Sequence, residues 1–316
     1  MKVHGKILEK YHLLMKKYNI AIIGYGSIAK RHASNLKKYF NYKDLLIVSS
    51  QKINNFSSTK KITDLIDKKL THIIVANETY KHIKVVKFIE ENFKNVSVLI
   101  EKPLFEKNYN FKRLRNFYYV GYNLRFHPII KYIKKNISTK KILSTNVLCK
   151  SYLPTWRNRK FNKTYSGKKE FGGGVLLELS HELDYIQYLF GNCKILFKNL
   201  KKTTNMQLNF KDSAIIIGKT KDNNIISIDL DIFSYKNIRK IEIRTQKIIY
   251  ECDLNKNIIH KNFKNNKKKI IKNRNNNYDI NDTYVDEIKS FLTNKKHLPK
   301  FNDGINTLRL IEEIEK

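Results

Sequence analysis

Between residues 18 and 121 the chain repeats one pattern. A short apolar run without polar interruption gives way to a stretch with apolar residues at helical spacing. YNIAIIG, DLLIVSS, THIIVAN, NVSVLIEKP and FYYVGYN are the apolar runs; IAKRHASNLKKYF, ITDLIDKKL and YKHIKVVKFIEEN are the helical stretches. A strand that is apolar on both sides must be covered on both faces. Strands linked through helices run parallel and use those helices as the cover. The expectation for residues 1–121 is therefore a doubly wound parallel α/β sheet. Residues 1–17 read as an extra N-terminal segment or as a matter of start choice, since Met15 opens an equally credible chain.

After Gly121 the pattern changes. A helix, FHPIIKYIKKN, leads into ILSTNVLCKSY, SAIIIGKT, IISIDLDIF and RKIEIRT, which suit strands of a largely antiparallel sheet. GVLLELSHELDYIQYLF, DTYVDEIKSFL and DGINTLRLIEEIEK read as helices. Residues 122–316 are thus expected to form an α+β domain for substrate binding, with an open, mostly antiparallel sheet as the contact of a homo-dimer or homo-tetramer. HKNFKNNKKKIIKNRNNN reads as a solvated basic loop, because it lacks the interleaved aromatics that stack on bases.

The turn after the first strand says what the parallel sheet is for. Gly24, Gly26 and Ala29 form G-x-G-x-x-A, with Ser27 and Ile28 opening the helix. The first glycine permits the tight turn, the second lets a pyrophosphate reach bare backbone, and the alanine lets helix and strand pack closely. Free N–H groups at the helix start favour the anion. The second strand ends in Ser49, Ser50, Gln51 and Lys52, with no carboxylate to bond a ribose 2′-hydroxyl. Hydroxyls and a lysine accept a 2′-phosphate, so NADP is expected over NAD.

The formal net charge of +35, from 63 Lys+Arg against 28 Asp+Glu, raises the question of a polyanion partner. The cations are spread along the whole chain among Asn and Ile, so no nucleic-acid partner is expected; the charge would still draw in phosphorylated cofactors. Cys149, Cys193 and Cys252 lie far apart and have no metal-ligand spacing, so no metal is expected and a reduced cytoplasm is the expected setting. No run approaches a membrane span.

Two constellations carry chemistry. Lys102 follows the fourth strand at Glu101-Lys102-Pro103, where strand ends of such a sheet face the cofactor crevice. An ammonium there would polarise a carbonyl or stabilise an alkoxide; the local alternative is a surface lysine before a turn. His181 lies three residues after Glu178 and three before Asp184, so helical spacing brings carboxylates to the imidazole. That suits a general acid/base whose carboxylate neighbour fixes the tautomer and raises the pKa; the local alternative is a core histidine.

In this order GYGSIAKRH, EKP, GYNLRFHP and GGG…H-x-x-D resemble the Gfo/Idh/MocA oxidoreductases, a likeness that extends to TYVDEIKSFL and DGINTLRLIEEIEK. The stretch from Ser151 to Tyr185 is similar to a subgroup met in surface-polysaccharide and acidic-sugar synthesis. The resemblance implies a Rossmann domain, a C-terminal open sheet and hydride transfer between nicotinamide and a sugar or nucleotide-sugar carbinol. It implies Lys102 beside the nicotinamide and His181 as proton-exchanging group, with Glu178 and Asp184 tuning it. Asn123 and Arg125 match a segment near the crevice, and Asn77 and His82 border the cofactor. Tyr152, Trp156, Arg157, Arg159, Tyr165 and Ser166 are expected on the substrate side. Three departures stand out: Glu178 is three rather than four residues before the histidine, Asn77-Glu78-Thr79 replaces Thr-Pro-Asn, and Ala29 replaces a third glycine. A cofactor-binding sensor or scaffold, and a redox-neutral isomerase, lyase or hydrolase with tightly held cofactor, remain the alternative uses of such a chain.

Overall fold

The computed structural model describes residues 18–111, 113–156, 161, 164–272 and 278–316; the N-terminal segment 1–17 lies outside them. The apolar runs of the first part become β1 (Asn19–Ile23), β2 (Asp44–Val48), β4 (His72–Val75), β5 (Ser97–Glu101) and β6 (Phe117–Gly121). A short edge strand, β3 (Ser57–Thr59), was not foreseen in its run of small polar residues. All six pair in parallel in the order β3-β2-β1-β4-β5-β6. Helix α1 (Ser27–Tyr39) covers one face, with Ala29, Ala33 and Leu36 fully buried in one cluster with Ile20 and Ile22. Helix α2 (His82–Asn92) buries Val86 and Ile89 on the other. ITDLIDKKL, expected as a helix, yields only a short 3₁₀ turn at Ile62–Leu65.

The chain crosses to the second part through α3 (Pro128–Asn136), whose start is capped by His127 accepting from the Ile129 amide. β7 (Ile142–Tyr152), β8 (Cys193–Lys201), β9 (Ser213–Thr220), β10 (Ile225–Asp231), β11 (Phe233–Thr245), β12 (Ile248–Asp253), β13 (Ile258–Phe263) and β14 (Lys268–Lys272) form one sheet in the order β14-β13-β12-β11-β7-β10-β9-β8. Only the β7–β10 pair is parallel.

Two sequence expectations are corrected. The basic stretch is not a solvated loop over its described part: HKNF and KKIIK belong to the β13–β14 hairpin, with Asn266 at φ 61° in its turn, and residues 273–277 lie outside the described residues. The ladder of β12 extends outward regardless of composition, and lysines on the last strand keep that edge from pairing further. GVLLELSHELDYIQYLF is not one helix either. It breaks at Leu179 (φ −101°, ψ 29°) into α4 (Val175–Glu178) and α5 (Ser180–Phe190).

Helices α6 (Asn281–Leu292) and α7 (Phe301–Glu315) return to the first sheet. Asn281 of α6 exchanges hydrogen bonds with Asn35 of α1. Gly304 of α7 sits so close to β6 that a Cβ would lie 2.8 Å from a Val120 methyl. Among the described residues no helix is long and apolar enough to cross a membrane.

Candidate active site

The parallel order reverses direction at β1, so its C-terminal end and that of β4 open a crevice, the place where such sheets bind ligands. Gly24 turns there at φ 105°, and a Cβ would lie 2.7 Å from the Ala76 carbonyl oxygen and from the Asn77 nitrogen. It is required both by its backbone angle and by the approach of the β4 loop. Gly26 differs: its φ is −72° and a Cβ would meet nothing within 4 Å. The first intrahelical bond of α1 runs from Lys30 N to Gly26 O, so the amides before Lys30 lack helical partners, and no acidic residue lies in the first turn. Open space beside bare backbone, in front of a donor-rich helix start, fits a dinucleotide pyrophosphate.

These differences predict two distinct phenotypes. Gly24→Ala is expected to lower the urea midpoint, because left-handed backbone costs about 1–2 kcal/mol without glycine and the methyl meets main chain. Gly26→Ala is expected to leave the midpoint within about 0.5 kcal/mol of the parent while weakening NAD(P)H binding at least about tenfold. A fluorescence titration beside the unfolding curve separates the two; unchanged cofactor affinity in Gly26→Ala would place the ligand elsewhere.

A cavity of about 400 Å³ lies between the two sheets' elements, bordered by Ser27 and Ile28 of α1 and by Lys102, Glu178, His181 and Trp156. Lys102 follows β5 before a cis peptide to Pro103. Its ammonium donates to the Glu178 carbonyl oxygen at 2.8 Å. The helix break makes this possible. In a continuous helix the Glu182 amide would take that carbonyl; here it bonds to Leu179 O at 3.1 Å. Burial pulls the Lys102 ammonium below the ordinary lysine value, against the Glu178 and Glu101 carboxylates.

His181 is 7% exposed and its Nδ1 is buried without a partner, leaving Nε2 to meet a ligand. Among the described residues no carboxylate bonds it. Burial, then the Lys102 and Arg239 cations, hold it well below the ordinary histidine value, so the expected upward shift is reversed and the imidazole is neutral. Glu178 borders the same cavity with Oε1 buried and unpartnered.

Several residues expected in the site are engaged elsewhere. Asp184 does not tune His181: its two oxygens accept from Arg125 Nη2 at 2.6 Å and Nε at 2.9 Å. Arg125 is therefore buried in an ion pair and is not free for substrate. Asn123 donates to Thr283 Oγ1 at 2.6 Å, also buried. His82 is sealed between the carbonyls of Leu104 and Asn77, and Asn77 keeps a buried, unpartnered Oδ1 in the β4 loop. Glu101 lies behind the crevice, with Oε1 2.5 Å from His32 Nε2. Glu287 completes this buried group, and burial beside Glu101 pushes its carboxyl well above the ordinary range. The 2.5 Å contact is a direct hydrogen bond.

Ser49 Oγ accepts from the Gln51 amide, and Ser50, Gln51 and Lys52 are exposed at the end of β2. Tyr152 packs on Phe233 and Tyr235, and Ser166 is buried. Arg157, Arg159 and the Tyr165 side chain lie outside the described residues.

The cavity also takes residues that sequence reasoning missed: Arg31 and Tyr284 from α1 and α6, and Cys149, Ser151, Asn237, Arg239 and Asn255 from β7, β11 and the loop after β12. Alternation along β7 and β11 marks which residues share a face, but not that this face closes over a crevice from another domain. Burial pushes the Cys149 thiol up to about 12, so it is no nucleophile.

Parallel sheet, glycine turn and a cavity bordered by both halves define a dinucleotide-binding, two-part protein. Two family descriptions match the chain: "Oxidoreductase family, NAD-binding Rossmann fold" over residues 18–116 and "Oxidoreductase family, C-terminal alpha/beta domain" over residues 134–315. The chain belongs to the Gfo/Idh/MocA oxidoreductase family. No curated protein matches it. Among solved structures, a levoglucosan dehydrogenase in complex with NADH and L-sorbose is similar at TM-score 0.80 and 15% identity, over 95% of this chain and 96% of that one. The WlbA dehydrogenase from Chromobacterium violaceum, in complex with NADH and UDP-GlcNAcA, is similar at TM-score 0.74 and 16% identity, over 96% of this chain and 94% of that one. UDP-N-acetylglucosamine 3-dehydrogenase GnnA from Acidithiobacillus ferrooxidans is similar at TM-score 0.72 and 14% identity, over 95% and 97%. At these identities the likeness is one of fold.

Proposed function

We propose that the chain moves a hydride between a nicotinamide cofactor and a carbinol carbon of a sugar or nucleotide sugar. One observation carries this reading: Lys102 and His181 border the same cavity as the N-terminus of α1. The names of the structural neighbours, sugar and nucleotide-sugar dehydrogenases, two of them in complex with NADH, support the substrate class.

Gly24, Gly26 and the first amides of α1 would hold the pyrophosphate. The cofactor, when bound, supplies the acceptor or donor of the hydride. His181, neutral, takes the hydroxyl proton on Nε2 in oxidation and returns it in reduction. Lys102 has two N–H donors beyond the one given to Glu178 O, and they stabilise negative charge on the substrate oxygen. Glu178 holds Lys102 through its carbonyl and adds a carboxylate beside the ammonium. Incubating the protein with NAD⁺ or NADP⁺ and a panel of sugars and UDP-sugars, read by nicotinamide absorbance, tests the reading. Cofactor binding without hydride transfer to or from any of them overturns it.

NADPH is expected to bind more tightly than NADH, by about three- to tenfold, since one exposed lysine and two hydroxyls offer a 2′-phosphate charge-assisted hydrogen bonds. Lys52→Glu should reverse the order. Tighter NADH in the parent protein ends the preference. Three free, buried cysteines fit a reducing, cytoplasmic setting. Leu143, Phe197, Ile215 and Ile225 are large apolar residues left exposed on the second sheet, which fits a homo-dimer or homo-tetramer.

A further inference from the structure

We infer that Arg239 anchors a carboxylate carried by the sugar, so that the substrate is a sugar acid; this rests on the sugar-oxidoreductase reading above. Arg239 stands in β11 directly opposite Cys149 of β7, and both border the cavity. Its Nε lies 2.9 Å from Glu182 Oε1, a close but poorly aligned ion pair: neither atom makes a well-directed hydrogen bond. Apart from Glu182, the polar group against the guanidinium is the Cys149 thiol, a weak acceptor. The side chain keeps 23% of its surface accessible, so part of the guanidinium faces the cavity it borders. A charged donor facing a cavity in this way is available to an anionic ligand, and its buried Nε, poorly paired, adds to the demand for one.

The surroundings specify the ligand. Ser151, Asn237 and Asn255 border the same cavity and add uncharged polar groups to its lining. Formally the cavity and its immediate wall carry Arg31, Lys102 and Arg239 against Glu178 and Glu182, an excess of one positive charge. A carboxylate balances that excess, whereas a phosphate dianion overshoots beside the Glu182 carboxylate. The planar pair of Nη groups matches two carboxylate oxygens. Arg239 is near enough to Lys102 and His181 to lower both, which places the anchor close to the reacting groups. A bound carboxylate would offset that repulsion and help Lys102 keep its proton.

Trp156 is the only tryptophan of the chain and borders the cavity, so its emission reports occupancy. NADPH-loaded protein is titrated with D-glucuronate against its neutral amide, D-glucuronamide, and with UDP-glucuronate against UDP-glucose. The acid of at least one pair is expected to bind at least about tenfold more tightly than its neutral partner. Preference in the free pair identifies a simple sugar acid, and preference confined to the UDP pair a nucleotide-sugar acid. Arg239→Gln should abolish the preference; since that change faces Glu182 and threatens folding, the acid-against-amide comparison on unaltered protein stands by itself. Equal affinity within both pairs, or no saturable response to any member, overturns the inference. Hydride transfer to a neutral sugar in that case leaves the oxidoreductase reading intact, while cofactor binding with no hydride transfer at all removes that reading first.

Discussion

Lys102→Met is expected to lower turnover at least about 10²-fold while NAD(P)H affinity stays within about threefold. Methionine keeps the unbranched stem and the packing and removes only the donors and the charge. The Glu178 carbonyl then loses its ammonium, but it borders a cavity where water replaces it, so the cost falls on the reaction rather than on folding. His181→Ala should cost a similar factor. The double variant should be little slower than either single one, because the two groups act on one oxygen. The pH profile separates this role from a structural one. Burial holds Lys102 below the ordinary lysine value, and its active form is the protonated one. The rate should therefore fall on the alkaline side with an apparent pKa below 10.5, and Lys102→Arg should move that limb upward. His181 stays neutral through its ordinary titration range, so no acid limb appears near 6.5. Turnover like that of the parent in both Lys102→Met and His181→Ala would remove the catalytic assignment.

The parallel half was legible because its signal is local. A buried strand between two helix layers is apolar throughout, and the glycine turn at Gly24 is a backbone requirement that a sequence displays directly. The break at Leu179 was not legible. Nothing between Val175 and Phe190 is a helix breaker, and the carbonyl that the break frees at Glu178 is taken by Lys102, 76 residues earlier, a partner no local pattern displays. The same limit hid Arg239, which reads as one more lysine-like cation in a chain crowded with them. Only the pairing of β11 with β7, and the closure of that face over the α1 crevice, distinguishes it from the solvated majority. Helical spacing misassigned Asp184 for a related reason. Residues three apart on a helix are neighbours, but a guanidinium 59 positions away fits the carboxylate better than the imidazole does.

That misassignment yields a sharp test. Asp184→Asn is expected to destabilise the protein by about 3–5 kcal/mol at a pH where the pair is charged. Burial lifts the Asp184 carboxyl to about 6 against the pull of Arg125, so the comparison belongs above that value. The side chains of Arg125 and Asp184 are 7% and 2% exposed, and the two form a bidentate pair. Asparagine offers one acceptor where two were used, and it leaves the buried guanidinium only the longer ion pair to the half-exposed Asp303. Arg125 also reaches Asp303 at 3.4 Å and lies 4.6 Å from the centre of the Tyr188 ring. Asp303 in turn accepts from the Lys300 amide at the start of α7. The pair thus ties the turn after β6 to α5 and α7, the elements that join the two sheets. Removing both charges with Arg125→Met and Asp184→Leu should recover most of the loss, because an apolar pair leaves no buried ion. A carboxylate that served His181 would give the opposite result. Its amide variant would unfold at the parent's midpoint and show a displaced pH profile, and that outcome would return Asp184 to the active site.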